Sequence, residues 1–362
     1  MNKKIKVGIL GATGMVGRNY IKSLADHPWF EISFLAASER SAGKTFAEAV
    51  SGKGGYLGDL PDWTGDMPVF DVKDIKKAAD SCSMAFSAFS MDKESTRELE
   101  KEYAAADLAV VSNNSAHRLT GNVPMLIPEI NSHLLDIIPE QRKSEGWKKG
   151  LIVCKPNCGL QSYVLPLGIL RMAGYKINRI ITANLQALSG AGYPGQPALD
   201  IIDNIIALPS EEEKAFSEPQ KIFGGIENDI IKPDSELQVS SNCVRVAVVH
   251  GHTSCVWFDI EGAKPEIDEL ANVFKSFRGE PQRLQLPSAP DPVIRYFGDD
   301  SHPQPVNDRD AGKGMAVTLG RLKKDPVMGY RFTALSHNTV RGAAGGAILS
   351  AELLVSKGYI TG

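Results

Sequence analysis

The chain has little of what marks several large functional classes. No stretch approaches the 18 or more apolar residues that a membrane-spanning helix requires, so a spanning protein is not expected. No Lys/Arg-rich run occurs, and a formal net charge of -3 provides no basic footprint for nucleic acid or an anionic membrane surface. Only 5 cysteines are spread over 362 residues, an odd number and too few for a disulfide framework, which points to a reducing compartment. Cys154 and Cys158 form a CxxxC without a second Cys/His pair at finger-like spacing, so no metal site is expected. Neither an internal repeat nor a low-complexity linker is present. The start, "MNKKIKVGILGATG", superficially resembles a signal peptide, but its glycines and the missing cleavage site argue for a strand and turn. A cytoplasmic protein is expected.

What is there reads as globular. Hydrophobic residues make up 43% and charged residues 23%, close to the globular average. At 362 residues the chain exceeds the size of one core, which implies two domains. "KIKVGILGATGMVGRNYIKSL" reads as strand, glycine turn and helix, with helical spacing at Val16, Tyr20, Ile21 and Leu24. "FEISFLAASER", "SMAFSAFS" and "DLAVVSNN" read as further strands separated by polar helical segments, the alternation of a parallel sheet covered by helices. From about residue 136 the long β-rich segments "INRIITANLQALSG", "CVRVAVVHGHTSCVWFDI" and "GMAVTLGRL" suggest a more open, mixed sheet. "GAAGGAILSAELLVSKGYI" reads as an amphipathic C-terminal helix with small residues at its start. "GLIVCKPNC" is assigned to the second domain as a strand running into a turn.

Gly11, Gly14 and Gly17 make GxxGxxG at the first strand-to-helix turn. A pyrophosphate needs such a tight turn, close backbone approach and helix amides aimed at the anion, so dinucleotide binding is favoured over a purely structural turn. The second strand ends in Ser38, Glu39, Arg40, Ser41 and, further on, Lys44, a basic and hydroxyl-rich turn that favours NADP over NAD. Cys158 precedes a probable helix with Pro166 inside it, where a helix N-terminus favours the thiolate, whereas Cys154 on the strand reads as a small buried hydrophobe. Spacing alone leaves Cys158 open between nucleophile and buried thiol. His250 and His252 flank Gly251, and strand alternation does not decide which faces inward. Arg245, in an otherwise apolar segment, calls for an anionic partner, either substrate or protein.

Taken together, "GILGATGMVG", "AASERSAGK", "VVSNNSAHR", "VPMLIPEIN", "PNC", "LQALSGAGYPG", "EEEK", "GHT", "LPSAP", "HPQP" and "SHNTVRGAAG" resemble aspartate-semialdehyde dehydrogenase of the archaeal and fungal branch, nearly end to end. The resemblance implies an α/β chain with a Rossmann NADP-binding domain over 1–135, an α+β catalytic and dimerisation domain with a mixed sheet over 136–340, and a C-terminal helix over 341–362 packing back on the first domain. It implies reversible reductive dephosphorylation of aspartyl 4-phosphate through a thioacyl link to Cys158, with His252 as acid/base and Gln186 orienting the acyl group. Arg245 would grip the substrate carboxylate, Arg118 the phosphate with Asn157 beside it, Glu218 the amino group and Lys221 the phosphate. Without the resemblance, Glu218 and Lys221, three apart, read as a surface salt bridge. NADP contacts would fall to Gly11, Thr13, Gly14, Met15, Val16, Gly17, Ser38, Arg40, Ser41, Ser87, Ser189, Gly190 and Asn338. A homodimer or homotetramer acting on small molecules is implied.

The chain departs from the family pattern at His250, where an acidic residue is common, in the residues after Cys158, and in the order of "SSNCVRV". The His-Gly-His run resembles archaeal malonyl-CoA reductase, a close paralogue that reduces a thioester by the same cysteine chemistry. A non-catalytic NADP-binding protein that retains the fold is the third alternative.

Overall fold

The computed structural model describes residues 4–53, 60–262 and 264–361. Strands β1 (Ile5–Leu10), β2 (Phe30–Ala37), β3 (Val69–Asp71), β4 (Met84–Ser87), β5 (Ala109–Ser112) and β6 (Leu151–Cys154) form one sheet in the order β3-β2-β1-β4-β5-β6. All five pairings are parallel. A parallel sheet needs cover on both faces, and its strands are accordingly near-continuous apolar runs. Helix Met15–Leu24 covers one face through Tyr20, Ile21 and Leu24, and helix Lys93–Ala105 contributes Leu99, Tyr103 and Ala104 to the other.

The sheet corrects one boundary. β6, assigned from sequence to the second domain, is the edge strand of the first sheet, paired with β5 from Ala109↔Leu151 to Ser112↔Cys154. A β-rich run carries no label for the sheet it joins, and only pairing decides.

The second sheet contains β7 (Arg179–Gln186), β8 (Ile206–Ala207), β11 (Gln238–Arg245), β12 (His252–Asp259), β13 (Ile294–Tyr296), β14 (Val317–Asp325) and β15 (Gly329–Ser336). The short strands β9 (Gly225–Glu227) and β10 (Ile230–Lys232) pair separately as a hairpin. The larger sheet runs β13-β14-β15-β12-β7-β11-β8, and mixes parallel with antiparallel pairs. The single segment "CVRVAVVHGHTSCVWFDI" is two strands, β11 and β12, separated by a loop. One face packs on helices Gln161–Met172 and Ile267–Ser276, with Ile180, Val256, Phe258, Leu270 and Phe274 in the core. The other face exposes the alternate residues of β7 and β12: Ile181 is 42% exposed, and Cys255 and Trp257 are partly exposed. No helix among the described residues is long and apolar enough to cross a membrane.

The C-terminal helix, Gly345–Ser356, lies in the first domain's core, where Ile348, Leu349, Leu353 and Leu354 contact the sheet's apolar cluster. It is not amphipathic, since nearly every residue from Gly345 to Leu354 is buried. A helix apolar all round must be covered all round. Its entry is held by Arg341, whose two terminal nitrogens donate to the two Glu129 carboxylate oxygens, each at 2.9 Å, in a pair at most 2% exposed. Removing one partner of a buried pair strands the other charge. Glu129→Ala is therefore expected to lower stability by about 3–5 kcal/mol in urea unfolding, and to lose part of that penalty when combined with Arg341→Met. A single-variant loss under about 1 kcal/mol would show that the pair is dispensable.

Candidate active site

β1 delivers Gly11 to the first turn with φ +90, and a Cβ there would lie 2.5 Å from the Ala88 carbonyl oxygen. Only glycine permits that approach. Beside it lies a cleft of about 360 Å³ lined by Gly11, Thr13, Gly14, Ser38, Glu39, Arg40 and Lys73, among others. The cations Arg40 and Lys73 and the open backbone of the turn suit a dinucleotide with an extra phosphate on its ribose, and Glu39 shares the same rim. Lys73, just beyond β3, was missed from sequence; the one signal was its place after the third strand of an alternating pattern. Two expected contacts lie elsewhere. Ser41 is buried and off the cleft lining, and the fully buried Ser87 hydroxyl donates to Glu100 at 2.6 Å. Val16 packs against the first core.

A second cleft, about 100 Å³, joins the domains and is lined by Met15, Leu188, Ser189, Gly192, Tyr193 and Val249, among others. Behind it, Asn338 donates to the Ser189 hydroxyl at 2.8 Å and accepts from the Gly251 amide at 2.9 Å, tying the close-approach loop to the loop before β12. Gly190 admits no side chain: a Cβ there would lie 2.7 Å from Arg245 Nη1 and 3.0 Å from His252 Cε1.

Three adjacent strands converge at this end of the second sheet. β7 ends at Gln186, β11 ends at Arg245 directly opposite it, and β12 begins at His252. All three side chains project to the helix-covered face and are buried. Cys158 opens a single 3-10 turn, Cys158–Leu160, that continues into helix Gln161–Met172 under that face. Asn157 caps the turn, its side-chain oxygen accepting from the Gly159 amide at 2.8 Å. The thiol therefore sits at the positive end of a helical segment. Cys158 Sγ and His252 Nε2 are 3.4 Å apart.

The tautomer of His252 follows from its other nitrogen. Nδ1 accepts from the Ala187 amide at 2.9 Å, so Nδ1 is unprotonated and the neutral ring carries its hydrogen on Nε2, facing the thiol. Burial, helped by the nearby Arg245 charge, lowers the imidazole pKa to about 3. His252 is thus a neutral donor. His250, outside the strand, stacks on His337 with ring centroids 5.3 Å apart and makes no hydrogen bond with the thiol. β12 begins one residue after Gly251, which decides between the histidines.

Burial raises the Cys158 thiol pKa, Glu211 raises it further, and Lys155, Arg118 and Arg245 oppose the rise. Cys154 is fully enclosed on β6, and burial pushes its thiol up to about 12. Arg245 donates through Nη1 to the Ala187 carbonyl at 2.8 Å and has no carboxylate within ion-pair distance among the described residues.

Helix Pro209–Ile222 supplies the remaining wall. Glu218 accepts from Arg118 at 2.8 Å and from the Asn157 amide at 2.7 Å, and Arg118 also donates to the Asn113 carbonyl. Lys221 donates to the Thr120 and Val123 carbonyls, and burial lowers its ammonium pKa to about 8. Glu218 and Lys221 do not form a surface salt bridge, because both are only 2% exposed and neither bonds the other. Glu211, in the first turn of this helix, was missed from sequence. Its carboxylate accepts from Asn157 Nδ2 at 2.9 Å and Gln186 Nε2 at 3.3 Å, and pairs with Lys214. "EEEK" entered only as a motif of the resemblance, and a run of three acids does not show which one turns inward.

A dinucleotide cleft on a parallel sheet, facing a cysteine–histidine pair on a mixed sheet, defines a nicotinamide-dependent dehydrogenase with a thiol in its site. The chain belongs to the semialdehyde dehydrogenase family. Residues 6–138 match the model for the semialdehyde dehydrogenase NAD binding domain, and residues 167–341 match that for the dimerisation domain. The aspartate-semialdehyde dehydrogenase of Archaeoglobus fulgidus is 42% identical, covering 99% of this chain and 100% of that one. Malonyl CoA reductase (NADP) of Metallosphaera sedula is 37% identical, covering 99% of each. The crystal structure of the Candida albicans aspartate semialdehyde dehydrogenase with NADP aligns with a TM-score of 0.89 at 35% identity, over 99% of this chain and 100% of that one.

The Glu211 carboxylate disfavours a thiolate beside it, so neutralising it should shift Cys158 ionisation to lower pH. Glu211→Gln is expected to speed iodoacetamide alkylation of Cys158 at neutral pH roughly threefold or more. Unchanged or slower alkylation would remove Glu211 from the thiol's electrostatics.

Proposed function

We propose that the chain catalyses the reversible, NADPH-dependent reductive dephosphorylation of L-aspartyl 4-phosphate to L-aspartate 4-semialdehyde, in aspartate-family amino-acid biosynthesis. The carrying observation is the Cys158–His252 pair at 3.4 Å, set where Gln186 and Arg245 converge. The family relationship and the NADP-bound relative support the same reading. Gly11, Thr13, Gly14, Met15, Ser38, Arg40 and Lys73 would hold the dinucleotide, with Ser189 and Asn338 near its reactive end. When bound, the dinucleotide supplies the hydride.

The steps of the chain's own residues balance without a proton acceptor at His252. Cys158 thiolate attacks the acyl carbon, the C–S bond forms, and the acyl–oxygen bond breaks with phosphate taking the electron pair. After hydride delivery the substrate oxygen carries the negative charge. The His252 Nε2–H, aimed at this region, donates to that oxygen. Collapse restores the carbonyl, breaks the C–S bond and returns the thiolate. His252 acts as a hydrogen-bond donor and transfers no proton: losing the Nε2 hydrogen would leave an imidazolate, and accepting a proton at Nδ1 would require breaking the bond from the Ala187 amide.

Arg245 would hold the substrate carboxylate with its planar fork, and Lys221 and Arg118 would face the phosphate with Asn157. Glu218 would take the amino group once its bonds to Arg118 and Asn157 rearrange. A second reading, malonyl-CoA reduction, is favoured by the Metallosphaera sedula relative, and by the closed arrangement of Glu218, which offers no open carboxylate. The same thiol chemistry serves both. The partly exposed face of the second sheet would bury against a second copy in a homodimer or homotetramer. Five free thiols suit a cytoplasmic enzyme.

NADPH oxidation by the purified protein is expected with aspartyl phosphate, together with phosphate-dependent NADP reduction by aspartate semialdehyde. Activity on malonyl-CoA alone would replace the substrate assignment while leaving the thiol mechanism. Cys158→Ser should abolish turnover and keep NADPH binding; retained turnover rejects the nucleophile. Arg245→Lys should raise KM for the carboxylate substrate about tenfold or more, and unchanged kinetics would return Arg245 to a structural role.

A further inference from the structure

Lys155, three residues before Cys158, is 2% exposed and has no carboxylate within ion-pair distance among the described residues. Its ammonium donates to the carbonyl of its own neighbour, Pro156. A buried ammonium without an anion is costly, so its place in the site calls for a reason.

The other charges around the thiol are assigned. Arg118 pairs with Glu218, Arg341 with Glu129, and Glu211 with Lys214. His252 is neutral. Lys221 and Arg245 remain as cations for the anionic ends of the substrate, so Lys155 is the buried cation left without a counter-ion. Its neighbourhood is built to admit it beside the thiol. A Cβ at Gly342 would lie 2.9 Å from Cys158 Cβ, and a Cβ at Gly346 would lie 3.5 Å from Lys155 Cε and 2.4 Å from the Arg341 carbonyl oxygen. The small residues of "GAAGG" thus let one turn of chain lie against both the thiol and the lysine stem. That turn is irregular, with Ala343 at φ -143, ψ -105, a local distortion of the kind found at functional sites.

We propose that Lys155 is a positioning residue whose buried positive charge stabilises the thiolate of Cys158, resting on the reading of Cys158 as nucleophile. In the thiolate form Cys158 has given up its proton while Lys155 keeps its own, so the two buried groups together carry no net charge. Burial lowers the Lys155 pKa to about 7, with Cys158 and Glu218 raising it and Arg118 and Arg341 lowering it further. On the thiol's side, the helix Pro209–Ile222 contributes the opposing Glu211, and β11 and the loop after β5 contribute Arg245 and Arg118. Lys155 heads the groups that favour the thiolate, so ionisation of the pair is coupled.

Lys155→Met keeps the volume and removes the charge. The pH profile of iodoacetamide alkylation, read at the Cys158 peptide by mass spectrometry, should move to higher pH, with the rate at pH 7 falling on the order of tenfold. Lys155→Gln should behave alike. NADP binding checks the fold in each variant, and an unmoved profile in a folded variant overturns the proposal. Where neither variant folds, the wild-type chain labelled at lysine Cε is titrated by NMR against Cys158→Ser. Coupling is reciprocal, so the near-neutral lysine midpoint should fall when the thiol is removed, and an unmoved midpoint overturns the proposal. These readouts need no substrate: retained turnover in Cys158→Ser refutes the nucleophile, whereas an unmoved profile refutes only Lys155.

Discussion

The hydrogen bond from the Ala187 amide to His252 Nδ1 governs the chemistry of the site. It joins the residue after β7 to the first residue of β12, and it depends on the antiparallel register that sets Thr253 opposite Leu185. A slip of one residue would turn His252 to the open face and leave the amide without its acceptor. With the bond made, the ring is held in one tautomer and one orientation, Nε2–H toward the thiol. The sheet therefore presents the thiol with a fixed N–H dipole, set by strand register.

Burial is the second constraint. The wall behind Cys158 contains Arg118, Glu218, Lys221, Arg245, Glu211 and Lys155, a set that water would normally keep apart. The pairs Arg118–Glu218 and Glu211–Lys214 neutralise part of it, while Lys221 and Arg245 rest on backbone carbonyls. Carbonyl dipoles hold a cation without cancelling its charge. The site is thus left with uncancelled positive charge, and a ligand that replaced these dipoles with full negative charges would gain more than a neutral one.

What was legible in the sequence was local. The glycine turn follows a strand and opens a helix within a dozen residues, and Cys158 opens its helical segment, so periodicity and turn chemistry suffice. What pairing decides was not legible. β6 joins the first sheet through β5, and His252 rather than His250 meets the thiol because β12 starts after Gly251. Lys73 and Glu211 reach their sites from elements far away in the chain, where composition signals only surface charge. Glu218 and Lys221 show the same gap in reverse: helical spacing places them on one face, but only tertiary packing buries that face. The family resemblance bridged some of these gaps by motif order. It carried no information about Lys155 or Glu211, to which it assigned no role.

The C-terminal segment connects these constraints to the architecture. Gly345–Ser356 belongs to the first domain's core, yet the turn that introduces it lies against Cys158 and is anchored by Arg341 to Glu129 and to the Met315 carbonyl. The chain thus leaves the second sheet at β15, passes the thiol, and ends inside the dinucleotide domain. A largely apolar helix buried on every side cannot shift toward solvent without exposing a large apolar area, at roughly 25 cal/mol per Å². The segment that packs on the Cys158 thiol is therefore held by the same burial that stabilises the first domain. Small residues are required at its start because two backbones and a lysine stem share that space, and a bulkier turn would separate the thiol from the charges that set its ionisation.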